Sequence, residues 1–263
     1  MNKPRVSAVK YSNTLPLVWG MLQGKERGAF DLSFTTPSAC AAALRKGEAD
    51  IGLIPSIEYQ RIEGLSIFPE ISISSKGAAR SVLLLSRKPI EQIQEIALDS
   101  SSRTSVVLLK ILLEKFYCKK VNFFTSSPDP IEMLEKADAA LIVGDPALIF
   151  KGDCAEIYDL GVEWKRFTGL PFVFAFWAGR GKRDLHGHKE VFDSSKKFGL
   201  SHLDDIVDRE AAKIPIKPGV LRDYLGVNLD YSLDEENCRG LQLFYQLAEE
   251  VEAIPRRIEL TFV

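Results

Sequence analysis

Along the first two thirds of the chain, short apolar runs of strand length alternate with segments whose apolar residues recur at helical spacing. The runs Arg5–Tyr11, Asp31–Thr35, Ile51–Ile54, Ile67–Ser74, Ser81–Ser86, Glu95–Leu98, Val121–Phe124, Ala139–Val143 and Phe172–Trp177 predict strands. Between them Pro16–Leu22, Ser38–Arg45, Ser56–Arg61, Ser105–Phe116 and Pro130–Lys136 predict helices. This alternation is that of βαβ units, an α/β fold with a parallel sheet covered on both faces. The texture changes after Trp177. From Gly181 onward the chain is charged and helical, with apolar spacing in Val191–Phe198, Leu203–Glu210, Gly219–Leu225 and Leu233–Val251, and breaks at Pro215, Pro218 and Asn228.

A helical tail of that length has only one place to pack if the sheet is a single layer. Two α/β lobes, with the tail returning to the first, use the material better. The crossing segments are then Ser81–Lys88, which ends in Arg-Lys-Pro, and Phe172–Arg180, which ends in Gly-Arg-Gly-Lys. They divide the chain into a discontinuous lobe of about residues 1–87 plus 178–263 and an inserted lobe of about 88–177. A cleft between two lobes is a favoured place for a small ligand. No internal repeat or low-complexity segment interrupts the pattern.

Composition narrows the partner. The 263 residues carry 34 Lys+Arg against 36 Asp+Glu, a net charge of −2, so there is no broad positive field for nucleic acid or an anionic membrane surface. A small molecule is the expected partner. Cys40, Cys118, Cys154 and Cys238 are scattered without CxxC spacing, and the pair in His186-Gly187-His188 lies in a solvated basic stretch, so neither a metal nor a disulfide framework is expected. Gly24–Gly28 and Gly179–Gly181 lack the spacing of a phosphate-binding loop. The apolar run Gly169–Gly179 is too short to span a membrane and reads as a buried strand. Arg5 leads straight into Val6, Ala8 and Val9 with no room for a secretory apolar region, which predicts a cytoplasmic protein.

Chemistry concentrates where strands hand over to helices. Five junctions carry hydroxyl, amide or proline residues: Tyr11-Ser12-Asn13-Thr14-Leu15-Pro16, Thr35-Thr36-Pro37-Ser38, Ile54-Pro55-Ser56, Asp99-Ser100-Ser101-Ser102-Arg103-Thr104-Ser105 and Gly144-Asp145-Pro146. Such residues start helices in any protein. What exceeds capping is the supply: Asp99 to Ser105 offers five hydroxyls, and Ser12-Asn13-Thr14 three polar groups, where one would do. In open α/β sheets ligands sit beside the carboxyl ends of strands, and helix N-termini there favour anions.

The junctions Tyr11 to Leu17, Asp99 to Ser105 and Gly144 to Leu148, with the blocks Gly47 to Pro55 and Thr168 to Ala175, occur in this order in one family. From about Arg5 to Trp177 the chain resembles the chorismate dehydratases of the futalosine route to menaquinone. The resemblance implies a two-lobed fold like that of type II periplasmic binding proteins. It also implies dehydration of chorismate to 3-[(1-carboxyvinyl)oxy]benzoate without metal or organic cofactor. A related enzyme that makes 1,4-dihydroxy-6-naphthoate has a His-Glu pair where this chain has Gly144-Asp145, which favours the dehydratase.

On that reading Asn13 is the catalytic residue. Ser12, Thr14, Ser38, Ser56, Ser81, Ser101, Ser102, Arg103, Thr104, Ser105, Gly144, Asp145 and Phe174 form the substrate-binding set. The helix start at Ser101–Ser105 is the donor set for the ring carboxylate; Arg80 and Arg103 rank below the hydroxyls. The only ionisable acids at the junctions are Asp99 and Asp145, each with a plausible capping or turn role. This scarcity favours the substrate's own enolpyruvyl carboxylate as the base, with Asp145 as the enzyme's alternative. A dicarboxylate-binding module and the naphthoate-forming enzyme remain as rivals.

Overall fold

A computed structural model describes residues 3–181 and 185–263. Among them, ten strands form two five-stranded sheets. The first sheet has the order β2 (Asp31–Thr35), β1 (Arg5–Val9), β3 (Ile51–Pro55), β10 (Phe172–Arg180) and β4 (Leu65–Ser75). The second runs β7 (Asn122–Ser126), β6 (Glu95–Asp99), β8 (Ala139–Val143), β5 (Val82–Ser86) and β9 (Glu156–Asp159).

The sheets are mixed, not parallel as the alternation predicts. In each, a parallel trio is extended by antiparallel strands: β10 runs against β3 and β4, and β5 against β8 and β9. The lobe boundaries shift for the same reason. Val82 to Ser86 pair with Val143 to Ala139, so β5 belongs wholly to the second sheet. Phe172–Arg180 lies between β3 and β4 and belongs to the first. The chain therefore crosses before each of these strands, at 76–81 and 169–171, not along them. Arg-Lys-Pro marks the loop that follows β5, while Gly179 and Arg180 still belong to β10 and Lys182 lies outside the described residues.

Local chemistry sets the helix starts. Thr36 caps the helix Pro37–Lys46 of the first lobe by accepting from the Ala39 N–H at 3.3 Å, with Pro37 in the first turn where no N–H is required. Asp159 caps the helix Leu160–Thr168 through Gly161 and Val162. The same carboxylate accepts the N–H groups of Ala79 and Arg80, fastening the first crossing to the second lobe. The helix Thr104–Ile111 continues as a π turn over Leu112–Phe116.

Part of the tail packs against the first sheet and its first helix. Ser195, in the helix Lys189–Ser201, donates to the Leu17 carbonyl at 2.8 Å and accepts from the Met21 N–H at 3.2 Å, locking that helix onto the first helix of the chain, Leu15–Gln23. Gly199 lets the two backbones meet, since a Cβ there would lie 2.0 Å from the Pro16 carbonyl oxygen. The last helix, Glu235–Glu250, packs on β10 and on Thr104–Ile111, so its Leu241, Phe244 and Leu247 join one apolar cluster with residues of both sheets.

Candidate active site

The carboxyl ends of β1, β3, β6 and β8 face one another across the gap between the sheets. The cavity there, about 610 Å³ with the part open to solvent included, draws lining residues from both lobes and the tail. Tyr11 and Asn13 come from the turn after β1, Pro37 and Pro55 from the ends of the next two junctions, and Leu229 from the tail. Ser81 immediately precedes β5, Ser102 to Ser105 lead into the helix after β6, Gly144 follows β8, and Phe174 lies on β10.

Asn13, Ser81, Ser102, Arg103, Thr104, Ser105, Gly144 and Phe174 of the expected set are therefore brought to one wall system. The other six lie outside the lining. Ser56 is fully buried, and its hydroxyl donates to the Val173 carbonyl at 2.8 Å. Ser101 is turned to Asp99, whose Oδ1 accepts both its N–H and its hydroxyl at 2.8 Å. Ser38 faces Thr36 at the cap of its own helix. Ser12 and Thr14 point into the protein behind Asn13. Asp145 accepts the Ser12 N–H at 3.1 and 3.2 Å and borders a separate groove with Lys10, Arg209 and Lys213. A three-residue 3-10 turn over Ser12–Thr14 explains the split, since only its middle side chain looks outward.

Arg80 is occupied through its backbone, in a left-handed conformation (φ 61°), and does not line the cavity. Sequence reasoning missed Tyr11, Tyr224 and Leu229. Tyr11 lies against Gly144 of the opposite lobe, and its hydroxyl is 3.5 Å from Ser101 Oγ. Tyr224 is buried behind the wall and donates to Ser81 Oγ at 2.8 Å. Tyr11 stands within a recognised junction, whereas nothing in the amphipathic pattern of the tail singles out Tyr224.

The electrostatics are sparse. Arg103 is the one charged residue in the lining among the described residues. It sits at the start of the helix Thr104–Ile111, whose first N–H groups lack partners within the helix and carry a partial positive charge. Burial raises the carboxyls of Asp99 and Asp145 above the ordinary range, partly offset by donors from Ser101 and Ser12 respectively. Burial also raises the Tyr11 phenol. Among the described residues no group of three or more His, Cys, Asp or Glu is arranged to hold a metal, and no helix is long and apolar enough to cross a membrane.

A hydroxyl-rich pocket with one cation and a helix start suits an anionic small molecule. The family model described as menaquinone biosynthesis matches residues 4–250. The chain belongs to the menaquinone biosynthesis family. As a member of that family it is 28% identical over 257 residues to the chorismate dehydratase of Thermus thermophilus, covering 89% of this chain and 91% of that one. It is 30% identical over 150 residues to the chorismate dehydratase of Campylobacter jejuni, covering 57% and 51%. In fold, this menaquinone biosynthesis chain is similar to a protein of Archaeoglobus fulgidus solved by crystallography (TM-score 0.78, 16% identity, 96% and 98% covered). It is also similar to the periplasmic aliphatic sulphonate binding protein of Escherichia coli (TM-score 0.65, 15% identity, 98% and 95% covered). The family's fold here is that of the periplasmic binding proteins.

Proposed function

We propose that this protein is a hydro-lyase that converts chorismate to 3-[(1-carboxyvinyl)oxy]benzoate in menaquinone biosynthesis. Family membership and the named relatives support the substrate. The observation that carries the mechanism is the absence of any carboxylate from the lining among the described residues, while hydroxyls, an amide and Arg103 are present.

Chorismate has a carboxylate on its ring and another on the enolpyruvyl ether, and dehydration removes the C3 proton and the C4 hydroxyl. The change is redox-neutral, and aromatisation drives it. The C3 proton is vinylogous to the ring carboxylate, so its removal sends charge onto that carboxylate. Donors fixed around it bind the transition state better than the ground state. Ser102, Thr104 and Ser105, with the N–H groups of their helix start and Arg103, are the donor set.

With no carboxylate at the wall, the base is the substrate's own enolpyruvyl carboxylate, held near C3 by the pocket. The protein then contributes chiefly positioning, which can supply a large part of a barrier reduction. Asn13 orients that carboxylate or the departing hydroxyl. Ser81 and Phe174 close the remaining sides.

The test is direct. Purified protein mixed with chorismate should change the ultraviolet spectrum and lower the substrate mass by one water; recovery of unchanged chorismate would mark a binding protein. Asn13→Leu should lower kcat by about 10²–10³-fold with the fold intact. Near-wild-type turnover in that variant would remove Asn13 from the mechanism.

A further inference from the structure

One phenol stands behind the cavity wall. Tyr224, in the π turn Tyr224–Asn228 of the tail, is fully buried, and its hydroxyl donates to Ser81 Oγ at 2.8 Å. The Asn13 side chain is a second polar neighbour of the same phenol. Ser81 stands at the entry to the second sheet and Asn13 after the first strand of the first sheet, and both line the cavity. Tyr224 itself does not reach it.

A serine hydroxyl has one proton and two lone pairs. Tyr224 occupies a lone pair of Ser81, and among the described residues no acceptor takes the Ser81 proton. Ser81 is buried, so bulk water is no ready partner either. The free O–H is left for whatever fills the cavity. Burial pushes the Tyr224 phenol up, so it remains a protonated donor at neutral pH and its grip on Ser81 does not vary there.

We infer that Tyr224 is a positioning residue that holds the Ser81 hydroxyl as a hydrogen-bond donor to the C4 hydroxyl leaving the substrate. This rests on the chorismate reading. In that step the C4–O bond breaks and its electron pair goes to oxygen. The electrons freed at C3 complete the aromatic ring, and the proton taken from C3 ends on the departing oxygen, giving water. Ser81 stabilises the developing charge through its hydrogen bond and keeps its own proton. The donor counts most while the C–O bond is breaking, so its loss falls on kcat rather than on KM.

The experiment is a double-mutant cycle with chorismate as substrate. Tyr224→Phe should lower kcat roughly 10–100-fold and change KM less than about threefold. Ser81→Ala should do the same, and the double variant should fall no more than about twofold below the lower single. Tyr231→Phe is the control: it is a buried phenol of the same tail whose hydroxyl has no partner among the described residues, and it should leave both constants within about twofold. Wild-type kcat in Tyr224→Phe, or losses that multiply in the double variant, would overturn the inference. If Tyr224→Phe does not fold, Ser81→Thr decides: it keeps the hydroxyl and should retain most of the turnover that Ser81→Ala loses, and equal rates in the two would overturn the inference. Failure of the wild type itself to dehydrate chorismate would instead strike the function proposed above.

Discussion

The backbone N–H of Ser12 reaches across the lobe boundary to the carboxylate of Asp145, 3.1 and 3.2 Å from its two oxygens. The contact joins the turn that carries Asn13 to the turn that carries Gly144. Asp145 thereby ties the two turns together while standing outside the cavity lining.

Asp145→Asn keeps an acceptor for the Ser12 N–H. We expect kcat within about fivefold of wild type, and Asp145→Ala to raise KM about 5–50-fold by loosening the approach of the lobes. Steady-state kinetics on the two variants check this. Loss of turnover in Asp145→Asn with substrate binding retained would make Asp145 the base.

The same carboxyl gives a signed pH effect. Burial raises its folded-state pKa above the ordinary value of 3.8. The native state then holds the proton more tightly than the unfolded chain, so this group's contribution is full at low pH and is lost as pH rises through the folded value. The stability of wild type relative to Asp145→Asn should therefore be greater near pH 4 than near pH 7, as read from urea unfolding at the two values.

Gly144 has φ 72° and ψ −149°, a region open essentially to glycine, and a Cβ there would lie 2.6 Å from Cζ of Tyr11. Gly144→Ala should cost about 1–3 kcal/mol of stability and keep Tyr11 from seating. Turnover should fall more than about tenfold. Small-angle scattering should show a more open molecule, and unchanged kcat/KM would show that the Tyr11 contact is dispensable.

Ser56 and Ser105 should behave oppositely although both were placed in the cleft from sequence. Ser56→Ala strips the donor from the buried Val173 carbonyl and should cost about 1–3 kcal/mol with KM little changed. Ser105→Ala should leave the melting temperature nearly intact and raise KM or lower kcat. Differential scanning fluorimetry alongside kinetics distinguishes them, and matching profiles would refute the division.

The serine-rich helix start was legible because its hydroxyls exceed what a cap requires, and four of its residues, Ser102 to Ser105, do line the cavity. Ser56 was not, because a serine after a strand looks the same whether it faces a ligand or a carbonyl. The strands other than β9, edge strands β2, β4 and β7 included, were legible from their sequence runs. Strand β9 was missed because Glu156-Ile157-Tyr158-Asp159 is a short edge with Ile157 exposed. The partners of β5 and β10 were misplaced because antiparallel pairing is decided by residues far away in the chain. Tyr224 was invisible for a similar reason: its role depends on Ser81, 143 positions earlier.

That distance bears on biosynthesis. Tyr11 leaves the ribosome well before Tyr224 and Leu229, yet Tyr11 and Leu229 line one cavity and Tyr224 stands behind its wall. A nascent chain stopped after β10 would possess both sheets and still be without part of the pocket wall, so the cavity is walled in only after the tail has followed β10 out of the ribosome.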